Sequence, residues 1–176
     1  MDLELRIYKL ETEQRWRWLA PEKPDGVVAE FISFRDDNTF VSLTEPGAPA
    51  RAEAWKTMRL TPAAGSTNDV TRIVDSPVLE IRLYRIAPGK RASFTHFFAE
   101  RCLEPLTRCG MAVDGQYEAL EDENVAVWFR GFPDLLERDR RKADFYESAL
   151  WLDELEDVAF SMIEDYSNVL LVTPVR

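Results

Sequence analysis

The pattern Glu-x-Arg-x-Tyr appears as Glu4, Arg6 and Tyr8 in LELRIYKL and again as Glu80, Arg82 and Tyr84 in LEIRLYRI, each time opening one half of the chain. Self-similarity at this scale points to two copies of one fold packed against each other, which narrows the architecture more than a single motif does. A second correspondence keeps the same order. DGVVAEFISFRDDNTFVSL, Asp25 to Leu43, lines up loosely with DGQYEALEDENVAVWF, Asp114 to Phe129, and both read as two extended runs around an acidic turn. A weaker third match pairs Ala54-Trp55-Lys56 with Leu150-Trp151-Leu152.

The second half is the cleaner copy. From Val78 to Ile86, Leu79, Ile81 and Leu83 alternate with Glu80, Arg82 and Tyr84 at the period of a strand. Pro88-Gly89 breaks it, and Lys90 to Cys109 predicts a helix with Phe94, Phe97, Phe98, Cys102 and Cys109 on one stripe, closed by Gly110. Two strands follow, about Ala112 to Ala119 and Val125 to Phe132, around the turn Leu120 to Asn124. Pro133 opens a second amphipathic helix with Leu135, Leu136, Ala143, Tyr146 and Leu150 on its apolar face and Glu137, Arg138, Arg141 and Asp144 outside or marginal. Trp151 to Asp165 reads as helical or irregular, and Asn168 to Pro174 as a last strand. The order β-α-β-β-α-β is the split unit of ferredoxin-like folds, with helices on one face of an antiparallel sheet.

The first half predicts a worn version of the same unit. It has strands at Leu3 to Leu10, Val27 to Phe34 and Thr39 to Leu43, a short stretch Glu13 to Ala20 in place of the long first helix, and a helix over Ala50 to Met58. Leu60 to Asn68 reads as loop. TRIVDSPVLEI, Thr71 to Ile81, resembles MIEDYSNVLLV, Met162 to Val172, so the fourth strand of this unit is either Val70 to Val74 or a strand at Val78 shared by both units. The expected fold is α+β, with tandem βαββαβ repeats forming a barrel-like pseudo-dimer within one chain. Its divisions are a degenerate repeat over 1–77 and a full one over 78–176.

Composition excludes several classes. With 45% hydrophobic and 31% charged residues the chain is too apolar for disorder. A net charge of -10 argues against nucleic acid and anionic membranes, both of which need a basic surface. ERDRRK, Glu137 to Lys142, is the one basic run, and its plainer interpretation is the solvated face of a helix rather than an anion site. Cys102 and Cys109 lie two turns apart on one predicted helix, about 10 Å from each other, too far to bridge. The acidic start MDLELRIYKLETE carries no apolar signal segment, so the expected setting is a reducing cytoplasm.

Three segments carry a family resemblance: LEIRLYRI followed by APGKR, the run VAVWFRGFPDLLER from Val125 to Arg138, and the ending SMIEDYSNVLLVTP. Over about Val78 to Pro174 the chain resembles the NIPSNAP family of the dimeric α/β-barrel superfamily. The first half departs from that pattern, having Ser42-Leu43-Thr44 where the second has Trp128-Phe129-Arg130. The resemblance implies a sheet that packs on a second sheet to close a barrel, here supplied within one chain, with further association of whole chains left open. It also makes Leu79, Ile81 and Leu83 the expected contact beneath the helices and leaves Glu80, Arg82 and Tyr84 for the barrel side.

The candidate ligand-binding residues are Arg82, Tyr84, Tyr117, Trp128 and Arg130, a set suited to a small anionic, hydrophobic or aromatic molecule. The plainer account is that Glu80 and Arg82 neutralise each other, as do Glu4 and Arg6, and that the aromatics are core. The superfamily includes haem-binding members, so His96, the single histidine, is weighed as an axial ligand, although helical spacing turns it toward solvent. One histidine excludes a catalytic triad or a multi-histidine metal site, and no metal or cofactor is implied. The expected function is small-molecule binding or an interaction module. The alternative, by analogy with the superfamily, is a cofactor-free monooxygenase acting on an aromatic substrate, with Tyr84, Trp128 and Arg130 positioning it.

Overall fold

A computed structural model describes residues 1–18, 23–66 and 68–175. The elements run β1 (Leu3–Lys9), a 3-10 turn at Thr12–Gln14 leading into α1 (Arg15–Trp18), β2 (Val27–Ser33), β3 (Thr39–Thr44) and β4 (Lys56–Pro62). After a 3-10 turn at Val70–Arg72 come β5 (Val78–Ile86), α2 (Arg91–Phe97), a π-helical turn (Phe98–Cys102) and α3 (Leu103–Arg108). The chain ends with β6 (Ala112–Ala119), β7 (Val125–Phe132), α4 (Leu135–Tyr146), a second π turn (Trp151–Leu155), α5 (Glu156–Phe160), β8 (Ile163–Asp165) and β9 (Val169–Pro174). Among the described residues no helix is long and apolar enough to cross a membrane.

The strands of the first half lie in the order β4-β1-β3-β2, and those of the second in the order β9-β5-β7-β6, all pairs antiparallel. Two further antiparallel junctions close the circle. Phe31 to Ser33 of β2 pair with Val172 to Pro174 of β9, and Leu60 to Pro62 of β4 pair with Tyr117 to Ala119 of β6. Eight strands thus form a closed α+β barrel, with three residue pairs at each closing junction. The short β8 attaches outside the circle, on β5.

Closure decides which face is the core. Leu3 and Leu5, Phe31, Val41 and Leu43, Leu60, Leu79, Ile81 and Leu83, Val127 and Phe129, and Val172 form one buried cluster that draws on every strand of the barrel. Val70, Ile73 and Val74 join it from the connection between the halves. Each large side chain buried there stabilises the fold by about 1.5–3 kcal/mol. This reverses the expected orientation of β5: its aliphatic residues fill the barrel, and Glu80, Arg82 and Tyr84 point outward, toward the helices. The reason is steric and electrostatic together, since a barrel of this size is filled by side chains and cannot solvate charges.

Other expectations also need correction. No helix occupies residues 50–55, and Lys56–Pro62 is a strand, so part of the segment read as loop is sheet. Met58 and Leu60 alternate inward between exposed Thr57 and Arg59, and the open edge of β1 outweighs the weak helix propensity of an alanine-containing stretch. This strand is the fourth of the first half, paired with β1, whereas Val70–Val74 begins as a 3-10 turn. Trp55 and Trp151 are not equivalent, the first being 66% exposed and the second buried in a π turn. The short stretch from Glu13 contains α1, and its end, residues 19 and 20, lies outside the described residues.

Candidate functional site between the sheet and the C-terminal helices

The outer face of β5 and β7 is built by register. Glu80 stands opposite Arg130, Arg82 opposite Trp128 and Tyr84 opposite Ala126, so alternation in each strand sends all the polar and aromatic members to the same side. The helices that cover this side supply an apolar roof: Phe94, Phe97, Phe98, Cys102, Leu106, Phe145, Trp151 and Leu155 pack with Tyr84 and Trp128 in a second buried cluster.

Within that cover, Glu80 is the hub of a buried ion network. Its Oε2 accepts from Arg82 Nη1 at 2.8 Å and from Arg130 Nε at 2.5 Å. Its Oε1 accepts from Arg138 Nε at 2.6 Å, and Lys142 Nζ lies 4.0 Å away. Arg82 also donates through Nε to the Tyr84 hydroxyl at 2.8 Å, and Arg130 donates through Nη1 to the Tyr146 hydroxyl at 3.2 Å. Trp128 is flanked by both guanidinium groups, with Arg82 Cζ 5.5 Å and Arg130 Cζ 5.3 Å from its ring, distances at which cation–π attraction operates.

The charges respond accordingly. Burial pushes the Glu80 carboxyl upward, but Arg130, Arg82 and Arg138 together outweigh burial and hold it down at about 2. Burial likewise raises the Tyr84 phenol, which Arg82 only partly offsets, leaving it at about 12 and protonated at neutral pH. Lys142 is displaced downward, first by burial and then by repulsion from Arg138, Arg130 and Arg82, against the pull of Glu80. Burial pushes the Cys102 thiol up to about 12, so it is no nucleophile.

Beside this network lies a cavity of about 280 Å³, walled by Tyr84, Trp128, Phe94, Phe98, Tyr146 and Trp151 and reached by Arg82, Lys142 and Glu156. Both π turns contribute to its wall, through Phe98 and Cys102 and through Trp151. Such turns insert an extra residue in a helix and redirect the side chains after it, and they recur at functional sites. Trp151 donates through Nε1 to Glu156 at 3.1 Å, so the acidic wall is already engaged. The arrangement is an aromatic-lined cavity whose rings meet edge to face, with Arg82 on its sheet side and Lys142 on its helix side.

Of the residues singled out in the sequence, Arg82, Tyr84 and Trp128 meet at this cavity, with Arg130 directly behind them. Tyr117 is elsewhere: it faces the barrel interior, stacks edge-on to Phe129 and donates to Asp114 at 2.9 Å. Sequence reasoning missed Arg138, Lys142 and Tyr146. The basic run ERDRRK divides, Arg140 staying at the surface with Glu137 and Asp144 while Arg138 and Lys142 turn to Glu80. The apolar face expected for α4 also shifts, because Leu135 and Leu136 are exposed and Phe145 is the buried anchor. The available signal was the spacing of Arg138, Lys142 and Phe145, which share a helical face.

The Glu80–Arg82 pair expected in both halves is present in both, as Arg6 Nε to Glu4 Oε1 at 2.5 Å in the first. There Arg6 donates to the Ala48 carbonyl at 2.6 Å, and the cover is loop rather than long helices. His96 is exposed and does not line the cavity, so it is not placed as an axial ligand there.

Comparison with known proteins agrees with this architecture. The NIPSNAP family model matches residues 79–175. A provisionally assigned monooxygenase from Lactobacillus acidophilus superposes with a TM-score of 0.69 at 10% identity, covering 99% of this chain and 94% of its own. A heme-degrading enzyme from Listeria monocytogenes gives 0.57 at 9% identity over 98% of this chain and 99% of its own. A NIPSNAP family protein from Agrobacterium tumefaciens gives 0.52 at 21% identity, over 58% of this chain and 91% of its own. At these identities the likeness is one of fold. Among curated proteins none matches the chain. The matched span covers over half of the sequence, includes all of the cavity-lining residues and extends through the last strand of the barrel: the chain belongs to the NIPSNAP family.

Proposed function

We propose that this protein takes a small aromatic molecule into the cavity between β5, β7 and the C-terminal helices and oxygenates it with molecular oxygen, without a bound cofactor. The observation that carries the proposal is the cavity itself, a slot of about 280 Å³ whose walls are Tyr84, Trp128, Phe94 and Phe98 and whose polar reach is Arg82 and Lys142. Aromatic walls hold a ring through edge and face contacts, and a fixed cation beside them stabilises a phenolate. A phenolate is electron-rich enough to reduce oxygen directly. In the overall change one oxygen atom enters a ring carbon to give a quinone and the other leaves as water, with the phenolic and ring hydrogens ending on that water. The substrate supplies all four electrons. The whole-chain likeness to a provisionally assigned monooxygenase lends support at the level of fold.

Oxygen uptake with a panel of phenols and hydroquinones tests this. The expected result is one oxygen consumed per quinone formed, with kcat/KM lowered about tenfold or more by Trp128→Phe, which trims the wall and removes an indole N–H. Binding without oxygen uptake would reduce the protein to a binding module, and an unchanged Trp128→Phe would remove that residue from the reaction.

A second element of the proposal concerns origin and division of labour. Residues 1–77 and 78–176 are inferred to be copies of one ferredoxin-like unit, the first degenerate, joined as a pseudo-dimer. The shared strand order and the same outward direction of Glu4-Arg6 and Glu80-Arg82 support it. The first copy keeps a structural role, because Trp18 of the one-turn α1 packs directly on Tyr8 of β1 and Phe40 of β3.

A further inference from the structure

Building on that cavity, we propose that its occupant is an aromatic carboxylate, with the ring against the edge-to-face pair of Tyr84 and Trp128 and the anionic group held by Arg82 and Lys142. Charge balance is the first reason. Four cations, Arg82, Arg130, Arg138 and Lys142, lie within 4.0 Å of the single carboxylate of Glu80. The one other carboxylate paired with this group is Asp139, which reaches Arg138 from the surface and is 70% exposed. Burying cations beyond what their anions neutralise is costly, and a structural pair needs one arginine for one glutamate, as Glu4 and Arg6 show in the first half.

The second reason is an independent set of unused donors. Trp128 lines the cavity at 2% exposure, and its Nε1 has no acceptor among the described residues. Arg130, fully buried behind it, has Nη2 in the same state. Buried N–H groups without partners are uncommon in folded proteins and call for an acceptor such as a water or a ligand. Donors in surplus, cations in surplus and an apolar body describe a molecule with one anionic end and a flat hydrophobic remainder. Glu156, already accepting from Trp151, fixes the direction, because its negative charge disfavours the anionic end on that side of the slot. The downward displacement of Lys142, caused by burial and three arginines, is of the kind an incoming carboxylate would relieve.

Titration calorimetry with 2-naphthoate and its uncharged isostere 2-naphthamide tests the inference, on the full chain and on Lys142→Met and Lys142→Arg. A charge-assisted contact predicts naphthoate binding about tenfold tighter than naphthamide. Lys142→Met is expected to erase most of that preference by weakening naphthoate far more than naphthamide, and Lys142→Arg to restore it. Equal binding of the two compounds overturns the anion subsite and leaves the aromatic cavity standing. Failure of both to bind overturns the cavity's role and the subsite with it. Because Lys142 is half-buried on a helix surface, unfolding curves of the variants verify that the fold is unchanged.

Discussion

At the scale of single residues, the outer face of β5 is organised by an imbalance: one glutamate serves three arginines and a lysine. Removing its charge leaves buried guanidinium groups facing one another, so Glu80→Gln is expected to destabilise the protein by about 3–5 kcal/mol in urea unfolding. The pH dependence has a definite sign. The folded-state carboxyl, at about 2, lies below its ordinary value of 4.5, so its contribution is complete above pH 4.5 and is lost as the pH falls toward 2. Stability measured across this window should drop for the natural chain and drop less for Glu80→Gln. Equal acid sensitivity of the two would place the lability elsewhere. Burial also raises the Cys102 thiol to about 12, so native alkylation followed by mass spectrometry should label the half-exposed Cys109 first.

At the scale of elements, the second helix of the C-terminal unit depends on a cap that its sequence displays. Asp134 accepts from the Glu137 backbone N–H at 2.7 Å, and Asp134→Ala should cost about 1 kcal/mol by chemical denaturation. On β7, a Cβ at Gly131 would stand 2.0 Å from Ser76 Oγ and 2.7 Å from Ser76 Cβ. Gly131→Ala should therefore cost about 1–3 kcal/mol, part of which Ser76→Gly in the same chain recovers. The strands that carry the site, Val78–Ile86 and Val125–Phe132, are legible in the sequence because their alternation is uninterrupted. Lys56–Pro62 is not, since its signal is two inward residues, Met58 and Leu60, and its pairing partners are 49 or more residues away along the chain in β1 and β6. The direction of β5 was misjudged for a related reason. Alternation separates two faces without naming which is inside, and only closure of the barrel decides it. Arg138 and Lys142 escaped notice because composition marks a basic run as solvated, whereas a buried carboxylate on another element draws two of its members in.

At the scale of the whole molecule, the barrel core is common property. Leu5, Phe31 and Val41 from the first half pack in one cluster with Leu79, Ile81 and Phe129 from the second, and the junctions of β2 with β9 and of β4 with β6 lock the circle. Unfolding should accordingly be a single transition with coincident fluorescence and circular dichroism curves. Residues 78–175 expressed alone would expose that apolar sheet face and are expected to self-associate, as sedimentation equilibrium would detect; a stable monomer would contradict a shared core. With the interior filled by side chains, the place left for chemistry is outside the barrel, under the C-terminal helices. The most direct test is a crystal structure of the full chain with 2-naphthoate. The ring is predicted in the cavity against Tyr84 and Trp128 with its carboxylate at Arg82 and Lys142, and a ligand seated inside the barrel, or bound only at the surface, would contradict the account.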